Sequence, residues 1–429
     1  MRKLAFILLF LFLSGCSAVQ FNPPPLPASI PAAAATATPV LVPDLSTATP
    51  IPSPVPPTET LTPTETATLA PVEIPNFEQF TMLDTQNGWG WVWSEKPALY
   101  HTSDGGLSWE LLSLPENGTF SGWSNHFFDG KTAWLSGFDS QGGQKLSYTG
   151  DGGKTWQARS ATGLENLGGL PSYTFFDASH GFAEVAGVGA GNLYIQLYET
   201  LDGGNNFQLV PMISPNGENS LPPGTIHLCS ICNDVFYFDL ARLVVVKGDM
   251  GSMQPSGAIN LLVSFDHGMS WQPQNLPLPP ENVTDLAAPL TPKFFGANDG
   301  LLPVKLLNYG PDGAPTTDLL LIYITRDGGK TWQISPTRIE KAARFPGPQF
   351  FDANQGIVQC GESICVTTDG AQTWQTVTSN LALPNTETSY IRQLTFADTR
   401  HGWLVISDNQ VQRYYRTTDG GQNWVLLNP

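Results

Sequence analysis

Short apolar runs alternate with polar residues along 76–429, and clusters of Gly, Asn and Asp interrupt them at near-even intervals. No stretch of about 12 residues or more has the 3.6-residue apolar spacing of an amphipathic helix, whereas alternation and β-branched or aromatic runs recur throughout. The runs group into a repeating unit of four predicted strands. An aromatic strand ends at Asp or Gly, and a Gly-aromatic strand such as GWGWVW follows. A variable loop leads to a third strand such as ALYHT, and a DGG turn to a fourth such as WELLSL. Two phrases mark each unit. The first reads FTMLDTQNGWGWV (80–92), FFDGKTAWLSG (127–137), FFDASHGFAEV (175–185), FYFDLARLVVV (236–246), FFGANDGLLPV (294–304), FFDANQGIVQC (350–360) and FADTRHGWLVI (396–406). The second reads TSDGGLSW (102–109), TGDGGKTW (149–156), TLDGGNNF (200–207), SFDHGMSW (264–271), TRDGGKTW (325–332), TTDGAQTW (367–374) and TTDGGQNW (417–424). At about 51 residues per unit the period is that of propeller blades. The expected fold is all-β, a seven-bladed propeller of four-stranded blades, because one such sheet cannot cover its own two faces and seven around an axis can. Repeat one starts with its inner strand and repeat seven ends with its outer one, so the latch of the ring is open to question unless PVEIP (71–75) contributes.

The second phrase has a local physical task. Asp104, Asp151, Asp202, Asp266, Asp327, Asp369 and Asp419 are expected to fold their carboxylates onto backbone N–H groups two residues ahead. The glycines supply positive φ, and the Thr or Ser two residues before the Asp satisfies further turn groups. Trp109, Trp156, Phe207, Trp271, Trp332, Trp374 and Trp424 drive rings between sheets. The phrase departs from its pattern at Asn206-Phe207 and at Ala371. A calcium loop needs several oxygen ligands, and each loop offers one acid, so the turn reading is preferred to a metal site. No metal and no cofactor is expected.

The ends of the chain change the picture. MRK precedes the apolar LAFILLFLF, too short to span a bilayer comfortably. Leu13-Ser14-Gly15-Cys16 follows. The segment resembles the bacterial lipoprotein signal, which implies removal of 1–15, acylation of Cys16 and an extracytoplasmic chain anchored to the cell membrane through that lipid. From 16 to 75 the composition turns to Pro, Ala and Thr, a disordered linker that cannot bury a core. At ~3.1 Å per residue, such a stalk reaches on the order of 100 Å. The propeller domain is then 76–429. Acidic residues outnumber Lys and Arg by 37 to 20, a net charge of −17, which repels phosphate backbones and disfavours nucleic acid as a partner.

The pattern S/T-x-D-x-G-x-T/S-W resembles the Asp-box, or bacterial neuraminidase repeat, of sialidases, xyloglucanases, sortilin-type receptors and photosystem II stability/assembly factors. The paired phrases F-x-D-x-x-x-G-W and TTDGGxxW over 76–429 are most similar to the last group. That resemblance implies a seven-bladed propeller that binds protein partners without a catalytic centre. The sialidases of this resemblance carry three substrate-clamping arginines, one of them in an Arg-Ile-Pro phrase ahead of the first box. Here the nearest match is Arg344-Phe345-Pro346, in the sixth repeat, and Arg159, Arg242, Arg326, Arg338, Arg392, Arg400, Arg413 and Arg416 are scattered. Two carboxylates within about 5–10 Å would still make a glycosidase, and the spacing leaves that open.

Four cysteines besides Cys16 form two close pairs, Cys229/Cys232 and Cys360/Cys365. In an oxidising compartment both are expected as structural disulfides. A redox Cys-x-x-Cys would need a βαβ setting, and a zinc site beside His227 would need a second pair. Trp89, Trp91 and Trp93 alternate and share one face of a strand, where interblade packing is preferred to sugar stacking. The longest connections, 209–235, 247–258 and 308–317, break the symmetry of the ring and mark its expected working face. The functional expectation is a monomeric, membrane-anchored scaffold that binds or assembles an envelope protein. The alternative is a carbohydrate-binding or glycoside-hydrolysing propeller.

Overall fold

Alternation becomes strand wherever the two phrases recur. The computed structural model describes residues 74–427, except 94–95, 117, 121–123, 166–170, 190–191, 215–221, 230–233, 249–256, 312, 314, 342–346, 385–388 and 410. The signal segment 1–15, Cys16, the linker to 73, Cys232 and Arg344 lie outside these residues. Seven antiparallel sheets follow one another along the chain, at 79–112, 119–159, 172–209, 235–277, 286–334, 349–377 and 389–426. Each runs through its four strands in sequence order, so every blade is a simple meander. The described residues hold no α-helix, and none is long and apolar enough to cross a membrane.

Three blades exceed four strands. In blade 2 the first strand is split into Thr119–Phe120 and His126–Phe127, and in blade 5 into Leu286–Pro289 and Lys293–Phe295. Blade 3 adds Thr225–Cys229 and blade 5 adds Ile339–Glu340, each pairing with the third strand of its own blade. The expected long loop at 209–235 is therefore partly strand.

The second strands of most blades are buried on both faces, which is why they read as apolar runs as much as alternations. Third strands such as those of blades 1, 3 and 7 alternate buried with half-buried positions. In blade 4, Leu243 and Val245 pack towards blade 3, and Val244 and Val246 towards blade 5. The buried apolar residues form seven clusters, one for each of the seven blade-to-blade interfaces. At the first of these Trp89 stacks on Phe127 of the next blade, with ring centroids 5.2 Å apart. Trp89 and Trp91 are fully buried, as interblade packing requires, and Trp93 stands beyond the strand end and is half exposed.

First strands line the axis and are bonded to each other. Gln349 donates Nε2–H to Leu394 O and accepts from Phe396 N–H. Gln393 donates to Phe80 O, and Phe175 N–H donates to His126 Nε2. Blades 7 and 1 share no strand. Their seam is closed by side chains and by the residues just ahead of the first strand. Ile74 and Phe77 are buried there with Phe80, Met82, Trp403, Val405 and Tyr414. Phe77 N–H donates to Tyr414 Oη at 2.8 Å, and Trp403 Nε1–H to Gly105 O at 2.8 Å. A side chain at Gly90 would collide with the Phe77 ring, so this glycine makes room for the latch. The folded ring thus takes in Ile74, from the segment whose part in closure the sequence left open.

Candidate functional site

In all seven aspartate turns the same bonds form. The Thr or Ser hydroxyl donates to Asp Oδ1 at 2.8–3.0 Å and accepts the N–H of the residue two after the Asp at 2.8–3.0 Å. Oδ1 also accepts the N–H four residues ahead of the Asp at 2.8–3.0 Å, and the side chain there donates to Oδ2 at 2.5–2.7 Å. The expected bond two residues ahead is therefore corrected to four. Two consecutive residues at positive φ, such as Gly105 at 77° and Gly106 at 84°, curl the chain far enough for the later N–H to reach the carboxylate. Blade 6 reaches the same turn with Ala371 at φ 65° and blade 4 with His267 at 55°. The hydroxyl of Thr155 and then its N–H hold the Asp151 carboxyl down to about 2, and Ser270 does the same for Asp266. At Asp104, Asp327 and Asp369 partial burial opposes the shift and the donors outweigh it. These oxygens are occupied by the protein's own donors.

The two-ahead turn exists, but in the first phrase. Asp84, Asp129, Asp177, Asp239, Asp352 and Asp398 each accept the N–H groups two and three residues on at 2.6–2.8 Å. In blade 5 Gly296, at φ 70°, replaces the Asp. In six blades the N–H of the residue after the second-phrase Asp then donates to a carbonyl of this first turn at 2.7–2.8 Å, as Gly105 does to Gln86. The two phrases recur together because their turns dock on one face of the ring.

The opposite face carries the connections between second and third strands and between blades. Here blades 3, 4 and 5 differ from the rest. The central hairpin of blade 3 pairs Gly181–Gly189 with Asn192–Thr200, and that of blade 5 pairs Asp299–Tyr309 with Pro315–Thr325. Blades 1 and 6 close with five-residue strands in the same places. The connection 308–317 is thus the tip of the blade 5 hairpin, and 247–258 of blade 4 lies between the two hairpins in chain order, with 249–256 outside the described residues. A polar network props the blade 5 hairpin. Asp285 accepts from Thr317 Oγ1 at 3.0 Å and from buried Asn282, and Arg338 pairs with Glu281. Lys305, buried, pairs with Asp318. On blade 3 the His227 ring stacks on Tyr194 at 5.2 Å. Cys229 is disulfide-bonded, and Cys360–Cys365 bridges the blade 6 hairpin with a Cα separation of 5.8 Å.

The arginines go to separate partners. Arg242 is buried against Asp239, Gly296 O and Gly328 O. Arg326 pairs with Asp299 and Arg413 with Asp408, while Arg159 lies over Tyr148 and Arg416 over Trp403. Arg392 donates to Glu78 O. Among the described residues no group of three His, Cys, Asp or Glu side chains is placed to hold a metal ion. Sequence reasoning missed two groups that burial brings towards neutrality. On the second strand of blade 3 burial pushes the Glu184 carboxyl up to about 7, and on the first strand of blade 5 it pulls Lys293 down to about 8. The only signal was a charge inside an apolar run.

Residues 321–429 match the family model described as sortilin, neurotensin receptor 3. That match spans the last quarter of the chain. No curated protein matches it in sequence. Among solved structures, YCF48 bound to D1 peptide is 17% identical at a TM-score of 0.43, covering 80% of this chain and 90% of its own. An α-L-arabinofuranosidase of Fusarium graminearum with arabinobiose is 13% identical at 0.38, covering 73% and 95%. The polysaccharide lyase Uly1 is 7% identical at 0.46, covering 80% and 90%. A peptide-bound YCF48, an arabinofuranosidase and a lyase stand side by side here, and such distant likeness carries neither activity nor partner to this chain.

Proposed function

We propose that the chain is a non-catalytic, protein-binding scaffold, anchored outside the cytoplasm through Cys16, that receives an envelope protein on the connecting face over blades 3 to 5. One observation carries this reading, the extra length of the blade 3 and blade 5 hairpins. Five-residue strands suffice to build a blade of this ring, so the added length serves something beyond closure. Side-chain bonds such as that from half-buried Thr317 to the buried Asp285 tie down the blade 5 hairpin, and an asymmetric surface fixed in this way loses little entropy on binding. The dispersal of the arginines supports the same reading. A photo-crosslinking residue at exposed Tyr309 in the full-length chain, irradiated in its native membranes, should give one discrete adduct with an envelope protein. The same residue at exposed Val425, on an outer strand, should not. Equal labelling from both positions would overturn the proposal.

The alternative, a glycan-cleaving propeller, rests on Glu184, whose carboxyl at about 7 suits a general acid. Burial alone causes that shift, without a neighbouring carboxylate, whereas the two-carboxylate mechanism needs a second acid within about 5–10 Å. Turnover of any aryl glycoside by the wild type, lost in Glu184→Gln, would establish it.

A further inference from the structure

The sevenfold repeat contains its own control for what each turn position needs. The residue before the second-phrase Asp is Ser103, Gly150, Leu201, Phe265, Arg326, Thr368 or Thr418. The residue three after it is Leu107, Lys154, Asn205, Met269, Lys330, Gln372 or Gln422. The residue after the first-phrase Asp or its Gly equivalent is Thr85, Gly130, Ala178, Leu240, Ala297, Ala353 or Thr399. Small or polar side chains fill these positions in most blades, so the turn does not require large apolar ones. Yet Leu201, Leu240, Phe265 and Met269 gather them in blades 3 and 4, all on the aspartate-turn face and between 37% and 69% exposed.

The repeat brings these positions together across each step from blade to blade. Lys330 Nζ sits 5.9 Å from the centroid of the Phe265 ring, across the step from blade 4 to blade 5. Leu201 and Met269 hold those same two positions in blades 3 and 4, so the same step sets them side by side. Ile213, also exposed, joins them from the end of blade 3, where its N–H donates to Gly268 O at 2.9 Å. Leu240 stands in the adjoining first turn of blade 4.

The surrounding charge is one-sided. Arg242 and Lys247 are the only basic residues between 160 and 292, against twelve acidic ones. Arg242 is buried on Asp239, and Lys247 pairs with Asp234 at the other end of its strand. Asp177, Asp202 and Asp266 stay exposed on the aspartate-turn face, and their own donors keep them ionised far below neutral pH. A monomer seldom exposes a contiguous apolar patch without use for it. An anionic rim with Lys330 as the cation at its border repels acidic surfaces and attracts basic ones. The Lys330–Phe265 contact shows the chemistry on a small scale, an ammonium over an aromatic face at the border of the patch.

We propose that the aspartate-turn face of blades 3 and 4 is a second docking surface, for a polypeptide segment whose large apolar side chains are flanked by Lys or Arg. It lies on the face opposite the connecting face, so the ring would hold two partners at once, and its test is independent of that reading. The probes are two labelled synthetic 12-residue peptides, one alternating Leu with Lys and one alternating Leu with Glu, titrated into the full-length chain by fluorescence anisotropy. The variant is Leu201→Thr/Phe265→Thr/Met269→Gln, which installs the residues of blades 6 and 7 and so leaves the turns as the repeat already makes them. The Leu-Lys peptide should bind the wild type, at least tenfold tighter than the Leu-Glu peptide. Its binding should weaken about tenfold or more in the variant with unchanged circular dichroism, and should weaken with added salt. Leu107→Gln, the same exchange on blade 1, should have no effect. Equal binding to wild type and variant, equal binding of the two peptides, or no binding at all would overturn the proposal. So would wild-type self-association that the variant abolishes, because the occupant would then be a second copy.

Discussion

Thr200 shows how little of each aspartate turn is decorative. Its hydroxyl, in a residue only 1% exposed, accepts Gly204 N–H and donates to Asp202. Thr200→Val keeps the volume and removes both bonds, stranding a buried N–H. A loss of about 2 kcal/mol is expected, read as a lower urea midpoint at unchanged slope. The motif was legible, because Thr, Asp and Gly at fixed offsets have few other uses. The direction of the carboxylate was not, because it depends on two successive positive φ values that spacing does not reveal.

The residue scale also sets the response to acid. Burial pulls His126 down to about 4, where its Nε2 accepts from Phe175 N–H. The unfolded imidazole takes its proton near 6.5, so protons favour the unfolded chain. Stability is fully present above about pH 6.5 and falls by about 3 kcal/mol as pH drops through 4. Asp151 and Asp266, at about 2 against 3.8, act in the same direction in a lower window. Their contribution is present above pH 3.8 and is lost as pH falls through 2. The Glu184 carboxyl, raised to about 7 by burial, works the other way between 7 and its unfolded value of 4.5. Urea midpoints measured from pH 8 to 3 should therefore change little down to about 4.5 and decline below it, and His126→Gln should turn the upper part into a rise as pH falls.

At the scale of elements, the strands that sequence pattern placed are those whose partners lie next along the chain. The central hairpin of blade 6 is local in this sense, and its bridge Cys360–Cys365 was legible from spacing alone. Cys360→Ser/Cys365→Ser should cost about 2 kcal/mol, the chain-entropy value for so short a loop, with the rest of the ring intact by hydrogen exchange. Thr225–Cys229 was read as loop because Pro and Gly surround it. Its pairing with Asn192–Gln196 exists only because the third strand of blade 3 is long enough to outrun Gln208–Leu209. No local propensity records that.

Across the whole molecule, the weak point of the ring is where its two ends meet. Six interfaces join consecutive blades. The seventh joins Phe77 and Trp403, far apart in sequence, through side chains and no shared strand. Phe77→Ala should cost about 4 kcal/mol, as for a buried aromatic in a core. Amide exchange should quicken at 79–82 and 389–396, the first strands of blades 1 and 7, before it does elsewhere. Uniform quickening around the ring would show that closure is shared by all seven interfaces.

Sequence by itself determined the period, the strand type and the turn chemistry, because these depend on residues within a few positions of each other. It also carried the number of blades, since each repeats the same two phrases. The tertiary structure decided which residues close the ring, how far the hairpins of blades 3 and 5 rise, and which exposed side chains become neighbours. Those outcomes depend on contacts between blades, where residues far apart in the chain meet only after the sheets have packed.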